Sequence, residues 1–256
     1  MPITAGIDLG STAIKVILVQ NGKIVFTEKK PTLPGQEMLA EQIIENGLNA
    51  LSVDRANIQK IGVTGYGKGL FRRATGMIDE ISANALGAFY LSHQTARTII
   101  NIGGQDVKVI RLSENGKVQD FRMNDKCAAG TGRFFEMAAR ILDTPISLFD
   151  ELSQKSTEIV DINSTCAVFA ESEIVSLLAK GVSKENIIAG IQHSVARRVA
   201  GLMGHQDISK EIYMDGGPAQ NKGLVRALEE ELFQPVQVLS QPQFTVAFGA
   251  ALSVQK

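Results

Sequence analysis

The residues with the most chemistry to offer are also the scarcest. The 256-residue chain holds two cysteines. Cys127 lies in Asn124-Asp125-Lys126-Cys127-Ala128-Ala129-Gly130-Thr131-Gly132-Arg133, and Cys166 in Ser164-Thr165-Cys166-Ala167-Val168-Phe169-Ala170-Glu171. Each precedes a helical pattern. A thiol at a helix N-terminus meets unsatisfied N–H groups and the positive end of the macrodipole, which lower its pKa and stabilise anionic sulfur. Reactive or ligating thiolate is one reading; two buried small hydrophobes is the blander one. There is no CxxC spacing, and two cysteines are too few for a secreted disulfide framework. A disulfide between them stays open but is disfavoured in a reducing compartment. A 4Fe-4S cluster takes four thiolates, so one chain supplies half a set and a symmetric homodimer a whole one, on its two-fold axis.

Glycine loops carry the second chemistry. Asp8-Leu9-Gly10-Ser11-Thr12-Ala13 places a carboxylate at the end of an apolar run and then a turn rich in N–H and hydroxyl groups. Such a nest accepts phosphate oxygens; Asp8 could hold a Mg²⁺-bound water, with Lys15 as countercharge. Gly103-Gly104-Gln105-Asp106 repeats the arrangement. A third pair, in Asp215-Gly216-Gly217-Pro218-Ala219-Gln220, follows a strand pattern and is expected to open a helix, where glycine permits close approach of a ribose or flat ring. Each signal alone is equally a structural turn.

An internal repeat positions these loops. Residues 7–18, Ile-Asp-Leu-Gly-Ser-Thr-Ala-Ile-Lys-Val-Ile-Leu, match residues 100–111, Ile-Asn-Ile-Gly-Gly-Gln-Asp-Val-Lys-Val-Ile-Arg. Asp8 aligns with Asn101, Gly10 with Gly103 and Lys15 with Lys108; after one inserted residue, Asn21-Gly22-Lys23 aligns with Asn115-Gly116-Lys117. Both copies predict a three-strand meander. Between and after them, periodicity predicts helices over 36–51, 78–92, 130–142, 168–180, 184–204 and 221–232, with strands over 59–64, 211–215 and 235–239 and a last helix from about 244. The chain is 44% hydrophobic with a formal net charge of −1, which offers no basic surface for nucleic acid or membrane lipid. Neither a signal sequence nor a membrane-length apolar run is visible, so a cytoplasmic protein is expected. His93, His193 and His205 show no ligand spacing, and Met123, Met137 and Met203 read as core fillers.

The order of two phosphate loops followed by Gly216-Gly217 resembles the actin-like ATPases. That resemblance implies an α/β chain of duplicated ribonuclease-H-like domains with an interdomain nucleotide cleft, the first domain 1–96 plus a returning helix 244–256, the second 97–243 with both cysteines. The stretches around Cys127, Cys166 and Gly103-Gly104-Gln105-Asp106-Val107-Lys108-Val109 are more specific. They resemble the ATP-dependent activators of 2-hydroxyacyl-CoA dehydratases, a family that includes benzoyl-CoA reductase ATPase subunits and the reductases of double-cubane cluster proteins. The resemblance implies an oxygen-sensitive homodimer with one 4Fe-4S cluster bound by Cys127 and Cys166. Ferredoxin or flavodoxin would donate an electron, and ATP turnover would drive it into an iron–sulfur acceptor. ATP or ADP with Mg²⁺ would lie on Gly10, Ser11, Thr12, Ala13, Lys15, Gly103, Gly104, Gln105, Asp106, Gly216, Gly217, Pro218, Gln220 and Gln243, with Asp8, Lys15 and Gln105 acting on the phosphates. Two positions depart from the family pattern: Asn101 stands where Asp is usual, and Asp215 where Thr is usual. A small-molecule kinase of the same superfamily is a rival reading, although 256 residues leave little room for a substrate pocket on inserted segments. A cluster-free nucleotide-sensing scaffold is another.

Overall fold

The structure is a computed structural model that describes residues 2–124, 130–162, 167–204 and 211–255. Cys127, Cys166 and His205 lie outside the described residues. The elements are β1 (Ile3–Leu9), β2 (Ala13–Gln20), β3 (Lys23–Pro31), α1 (Gln36–Leu51), β4 (Ile58–Thr64), β5 (Gly76–Met77) and α2 (Glu80–Leu91). They continue with β6 (Thr98–Ile102), β7 (Val107–Leu112), β8 (Val118–Asn124), α3 (Gly132–Ile141), α4 (Phe149–Ser153), α5 (Ala167–Ala179) and α6 (Lys184–Met203). β9 (Ile212–Gly216), α7 (Lys222–Leu232), β10 (Val236–Val238) and α8 (Thr245–Ser253) complete the chain.

The chain divides into two compact units, residues 1–96, 112–119 and 239–256 in one and 97–111 and 120–238 in the other. The first contains a five-stranded mixed sheet in the order β3-β2-β1-β4-β5. β1 and β2 pair antiparallel through every residue from Ile3 to Leu9, and β4 lies parallel to β1 on its other side. β1 is buried along its whole length, as expected of a central strand with apolar neighbours on both faces. α1 covers one face through Ala40, Ile43, Ile44 and Leu48, which recur at helical spacing. On β1, β2 and β4 also lies α8, whose small residues Ala247, Gly249, Ala250 and Ala251 let it approach closely; it packs beside α2 as well. Phe248 meets Tyr90 of α2 edge to face at 5.3 Å.

The second unit repeats the frame, with its sheet in the order β10-β9-β6-β7-β8. β6 and β7 pair antiparallel and β9 runs parallel to β6. Its core gathers α3, α4, α6 and α7 around Phe134, Phe135 and Phe149, each ring 2% exposed or less. Full burial of side chains of this size contributes about 1.5–3 kcal/mol apiece. α4 and β5 escape the periodicity reading, because five and two residues carry no measurable period. Met123, expected in the core, is 36% exposed on β8, whose outer face is largely open.

The repeat is visible in the turns, and so is its one insertion. Asn21 and Gly22 have φ of 52° and 74°, the two-residue turn in which both central residues are left-handed. In the second copy the extra residue converts this into a longer turn. The Ser113 amide donates to the Lys117 carbonyl at 2.8 Å and the Gly116 amide to Ser113 at 3.0 Å, and only Gly116 keeps positive φ, at 75°.

Candidate functional site

In the first unit, strand pairing brings three side chains together. Asp8 sits opposite Lys15 across the antiparallel ladder and beside Thr64 across the parallel one. The Lys15 ammonium donates to Asp8 Oδ2 at 2.7 Å. The carboxylate is 2% exposed, and its other oxygen, Oδ1, accepts no hydrogen bond from the described residues. Thr64 Oγ1 is likewise buried and unpartnered among them. A buried carboxylate oxygen without a donor is unfavourable unless a ligand or water completes it. The chain then leaves β4 through Gly65, at φ 90°; a methyl group there would lie 2.6 Å from both Asp8 Oδ1 and the Leu9 carbonyl oxygen. Hard oxygen donors beside a phosphate-type nest suit a Mg²⁺-bound water, so these residues fit that ion.

The adjoining loop, Gly10-Ser11-Thr12-Ala13, is pinned from behind. Thr32 donates from its hydroxyl to the Gly10 carbonyl at 2.7 Å and from its amide to the Thr12 carbonyl at 3.0 Å. Ser11 is exposed, while Gly10, Thr12, Ala13 and Lys15 are partly exposed. Thr32, Thr64 and Gly65 were not among the residues singled out by sequence. The β1–β4 pairing that brings Thr64 beside Asp8 spans most of the unit, and the signal that could have found it is the Thr-Gly step at the end of an apolar strand pattern.

The second unit places Asn101 opposite Lys108 and beside Asp215. The Asn101 amide donates to Asp215 Oδ1 at 2.6 Å, and Lys108 approaches Asn101 Oδ1 at 3.5 Å. Lys108 makes its close ion pair elsewhere, with Asp106 Oδ1 at 2.6 Å, and both partners are buried. The loop Gly103-Gly104-Gln105-Asp106 is closed by a 2.8 Å bond from the Gly103 amide to the Asp106 carbonyl. It is tied to the start of α3 by the Gly132 amide on the Gly103 carbonyl, at 2.8 Å, and the Arg133 amide on Gly104, at 3.1 Å. Gly103, Gly104 and Gln105 remain partly exposed.

The third glycine segment leads into the helix expected over 221–232 by way of one extra turn: Gly217–Gln220 forms a single 3₁₀ turn, and α7 begins at Lys222 with Asn221 as its cap, the Asn221 carboxamide accepting from the Leu224 amide at 3.2 Å. Pro218, the second residue of that turn, lacks an N–H that the start of such a turn would leave unpaired. Gly217 and Gln220 are exposed and Pro218 is partly so. Pro218 borders the same Gly132 that closes the 103–106 loop, at 3.8 Å from a methyl group added there, so these two segments adjoin. Gln243, at the entrance to α8, has its carboxamide oxygen engaged by Lys29 at 2.8 Å.

The expected metal ligands fall on Cys127 and Cys166, outside the described residues; among the described residues no group of three or more His, Cys, Asp or Glu side chains gathers. α5 starts at Ala167, directly after Cys166, whereas α3 starts at Gly132 with Thr131 as cap, several positions beyond Cys127. Among the described residues no helix is long and apolar enough to cross a membrane.

Comparison with known proteins gives a consistent picture. The family described as the BadF/BadG/BcrA/BcrD ATPase family matches residues 5–254. An activator of lactoyl-CoA dehydratase from Anaerotignum propionicum is 43% identical over 97% of this chain and 96% of its own. The crystal structure of component A of (R)-2-hydroxyglutaryl-CoA dehydratase from Acidaminococcus fermentans superposes with a TM-score of 0.92 at 43% identity, covering 99% of this chain and 97% of that one. The activator of 2-hydroxyisocaproyl-CoA dehydratase from Clostridium difficile, solved with ADPNP bound, gives 0.92 at 41% identity, covering 98% and 93%. A glucokinase of the ROK family from Streptomyces griseus shares the fold alone, at a TM-score of 0.62 and 14% identity over 98% of both chains.

Proposed function

We infer the function from one premise: the chain belongs to the BadF/BadG/BcrA/BcrD ATPase family. It has the actin-like ATPase fold, an α/β architecture of two mixed sheets with helices. We propose that it is the ATP-hydrolysing activator of an iron–sulfur acceptor, a 2-hydroxyacyl-CoA dehydratase or a double-cubane cluster protein. The observation that carries this reading is the unpartnered Asp8 Oδ1, buried beside Thr64 and next to a pinned Gly-Ser-Thr loop. That is a place built for a hydrated cation and phosphate oxygens. The relatives' roles support the rest, and the ADPNP bound by one of them supports a nucleotide at the loops.

In this reading Gly10, Ser11, Thr12 and Ala13 offer N–H and hydroxyl donors to phosphate, and Gly103, Gly104, Gln105 and Asp106 do the same from the second loop. Lys15 neutralises one oxygen of Asp8, so the other faces the metal-bound water with its charge partly balanced. Gln105 orients the attacking water. Gly216, Gly217, Pro218 and Gln220 receive the nucleoside, and Gln243, whose carboxamide oxygen is engaged by Lys29, is a further nucleotide contact in this reading. Cys127 and Cys166 of two copies would hold one 4Fe-4S cluster, which supplies a one-electron carrier of very low potential; a ferredoxin or flavodoxin reloads it. Each 59 mV of uphill transfer requires about 1.4 kcal/mol, which differential binding of ATP and ADP to two conformations can provide. Three relatives of nearly equal identity activate dehydratases of three different hydroxyacyl-CoA substrates, so overall similarity does not select the acceptor.

The test is anaerobic. Purified protein is expected to carry about two iron atoms per chain, lost in Cys127→Ala and in Cys166→Ala, and to hydrolyse ATP faster with a reduced iron–sulfur acceptor. A phosphorylated small product would establish the kinase instead, and a colourless, iron-free dimer the scaffold.

A further inference from the structure

The two units can be superimposed residue by residue from their strand pairing. Asp8, Lys15 and Thr64 occupy facing positions on β1, β2 and β4; Asn101, Lys108 and Asp215 occupy the same positions on β6, β7 and β9. The exits from β4 and β9 agree as well. Gly65 and Gly216 both sit at φ 90°, and a side chain at either would collide with the backbone of the residue following the site position, Leu9 in one unit and Ile102 in the other. Thr64 and Asp215 are therefore equivalent by backbone geometry, although nothing in the aligned hairpin repeat connects them.

This equivalence exposes an exchange. The first unit carries its carboxylate on the inner hairpin strand, at Asp8, and a neutral hydroxyl on the parallel neighbour, at Thr64. The second carries a neutral amide on the hairpin strand, at Asn101, and the carboxylate on the parallel neighbour, at Asp215. Lys108 does not decide between them, because Asp106, standing where the first unit has Ala13, takes its ammonium at 2.6 Å. The second cluster thus has one cation and two carboxylates, and moving the charge between 101 and 215 leaves that total unchanged. All four side chains are at most 5% exposed. In such surroundings a gained or lost charge is expensive, so a change at one position favours the reciprocal change at the other.

We propose that Asp215 is the working carboxylate of the second loop, with Asn101 as its positioning residue. Asn101 gives its N–H to Asp215 and presents its carbonyl towards Lys108, so the amide's orientation is fixed from both sides. The proposal rests on the reading that this loop serves a Mg²⁺-nucleotide. It predicts that the carboxylate is transferable: Asn101→Asp combined with Asp215→Thr recreates the arrangement of the first unit.

The experiment is a double-mutant cycle on the full chain, read in two ways. Thermal melting without nucleotide reports the pair itself. Asn101→Asp is expected to lower Tm, since two carboxylates then meet within hydrogen-bond distance, and Asp215→Thr to lower it by stranding the amide. The double variant is expected to melt above either single one. Calorimetric ADP binding with and without Mg²⁺ reports the role. The Mg²⁺-dependent gain in affinity is expected to fall about tenfold in Asp215→Thr and to return in the double variant. Asp215→Asn, which keeps the shape and removes the charge, is expected to remain folded and show the same loss. Additive melting effects would overturn the exchange. Reciprocal melting with an unchanged Mg²⁺ response in Asp215→Asn would overturn the working role and leave a packing device. If the parent protein bound no Mg²⁺-ADP, the functional reading would fail, while the melting cycle would still decide the exchange.

Discussion

The two units solve one electrostatic problem in different ways. In the first, a lysine from the hairpin partner strand pairs directly with the buried carboxylate, and Lys15 stays 24% exposed at its side chain. In the second, the equivalent lysine is 2% exposed and is turned onto a carboxylate of its own loop, which leaves the strand-end pair to an amide and a second carboxylate. The backbone frame is the same, so the difference teaches that a duplicated site is preserved as a set of positions: the second unit adds a loop carboxylate for its lysine and keeps the strand-end carboxylate on the parallel neighbour instead of the hairpin strand. The residue type at any one position is free to move if a register neighbour compensates.

The most severe way to break this comparison is at its backbone. Gly216→Ala places a methyl group against the Ile102 carbonyl at a φ that L-residues avoid, and is expected to destabilise by about 3 kcal/mol or more. Gly65→Ala, closest to Asp8 Oδ1 and the Leu9 carbonyl at 2.6 Å, is expected to be damaging to a similar degree and to weaken Mg²⁺-dependent nucleotide binding too. Denaturant melts of both measure this; a harmless Gly65→Ala beside a crippling Gly216→Ala would mean the two exits are not equivalent. Next in size are the lysines. Lys108→Met leaves the buried Asp106 carboxylate without its cation and is expected to lose about 3–5 kcal/mol. Lys15→Met strands one buried carboxylate whose cation was itself partly exposed to solvent, and is expected to lose about 1–3 kcal/mol. The reverse order would place the tighter charge balance in the first unit.

Much of the frame was legible in the sequence because its causes are local. The amphipathic spacing of α1 predicts residues 36–51 and the helix spans Gln36–Leu51; the Asn21-Gly22 turn predicts the hairpin of β2 and β3. The repeat was legible because strand registers place Asp8 against Lys15 and Asn101 against Lys108 with the same seven-residue separation. What was not legible depends on distant pairing. The reading marked Asn101 and Asp215 as two separate departures from a pattern, and only the parallel β6–β9 register shows that they touch, 114 positions apart. Thr32 and Thr64 were missed for the same reason. Periodicity predicts the helix over 221–232, and α7 starts at Lys222 behind its Asn221 cap; the short 3₁₀ turn at Gly217–Gln220 carries no period that could announce it.

The smallest contrast concerns helix caps, and pH can separate it. Asp79 caps α2 in the first unit, its carboxylate accepting from the Ser82 amide at 2.8 Å, whereas neutral Ser183 and Asn221 cap α6 and α7 in the second. Burial pushes the Asp79 carboxyl up, but hydrogen bonds from the Ser82 amide and hydroxyl outweigh it and hold the group below its ordinary value. A carboxyl lowered on folding stabilises fully above its unfolded pKa, and that contribution disappears as pH falls through the folded value. Asp79→Ala is therefore expected to lose about 1 kcal/mol at neutral pH and progressively less in acid. Asp79→Asn keeps an acceptor for Ser82 and is expected to hold neutral stability while flattening this part of the acid limb. The second unit has its own acid-sensitive carboxyl, Asp150; burial raises it, and Arg226, donating at 2.7 Å, together with Gln154 lowers it further than burial raises it. Acid melts of Asp79→Asn should thus retain a slope, and Asp79→Asn combined with Asp150→Asn should lose more of it. A slope untouched by Asp79→Asn would mean that the cap bond in the first unit carries no more of the pH dependence than its neutral counterparts do.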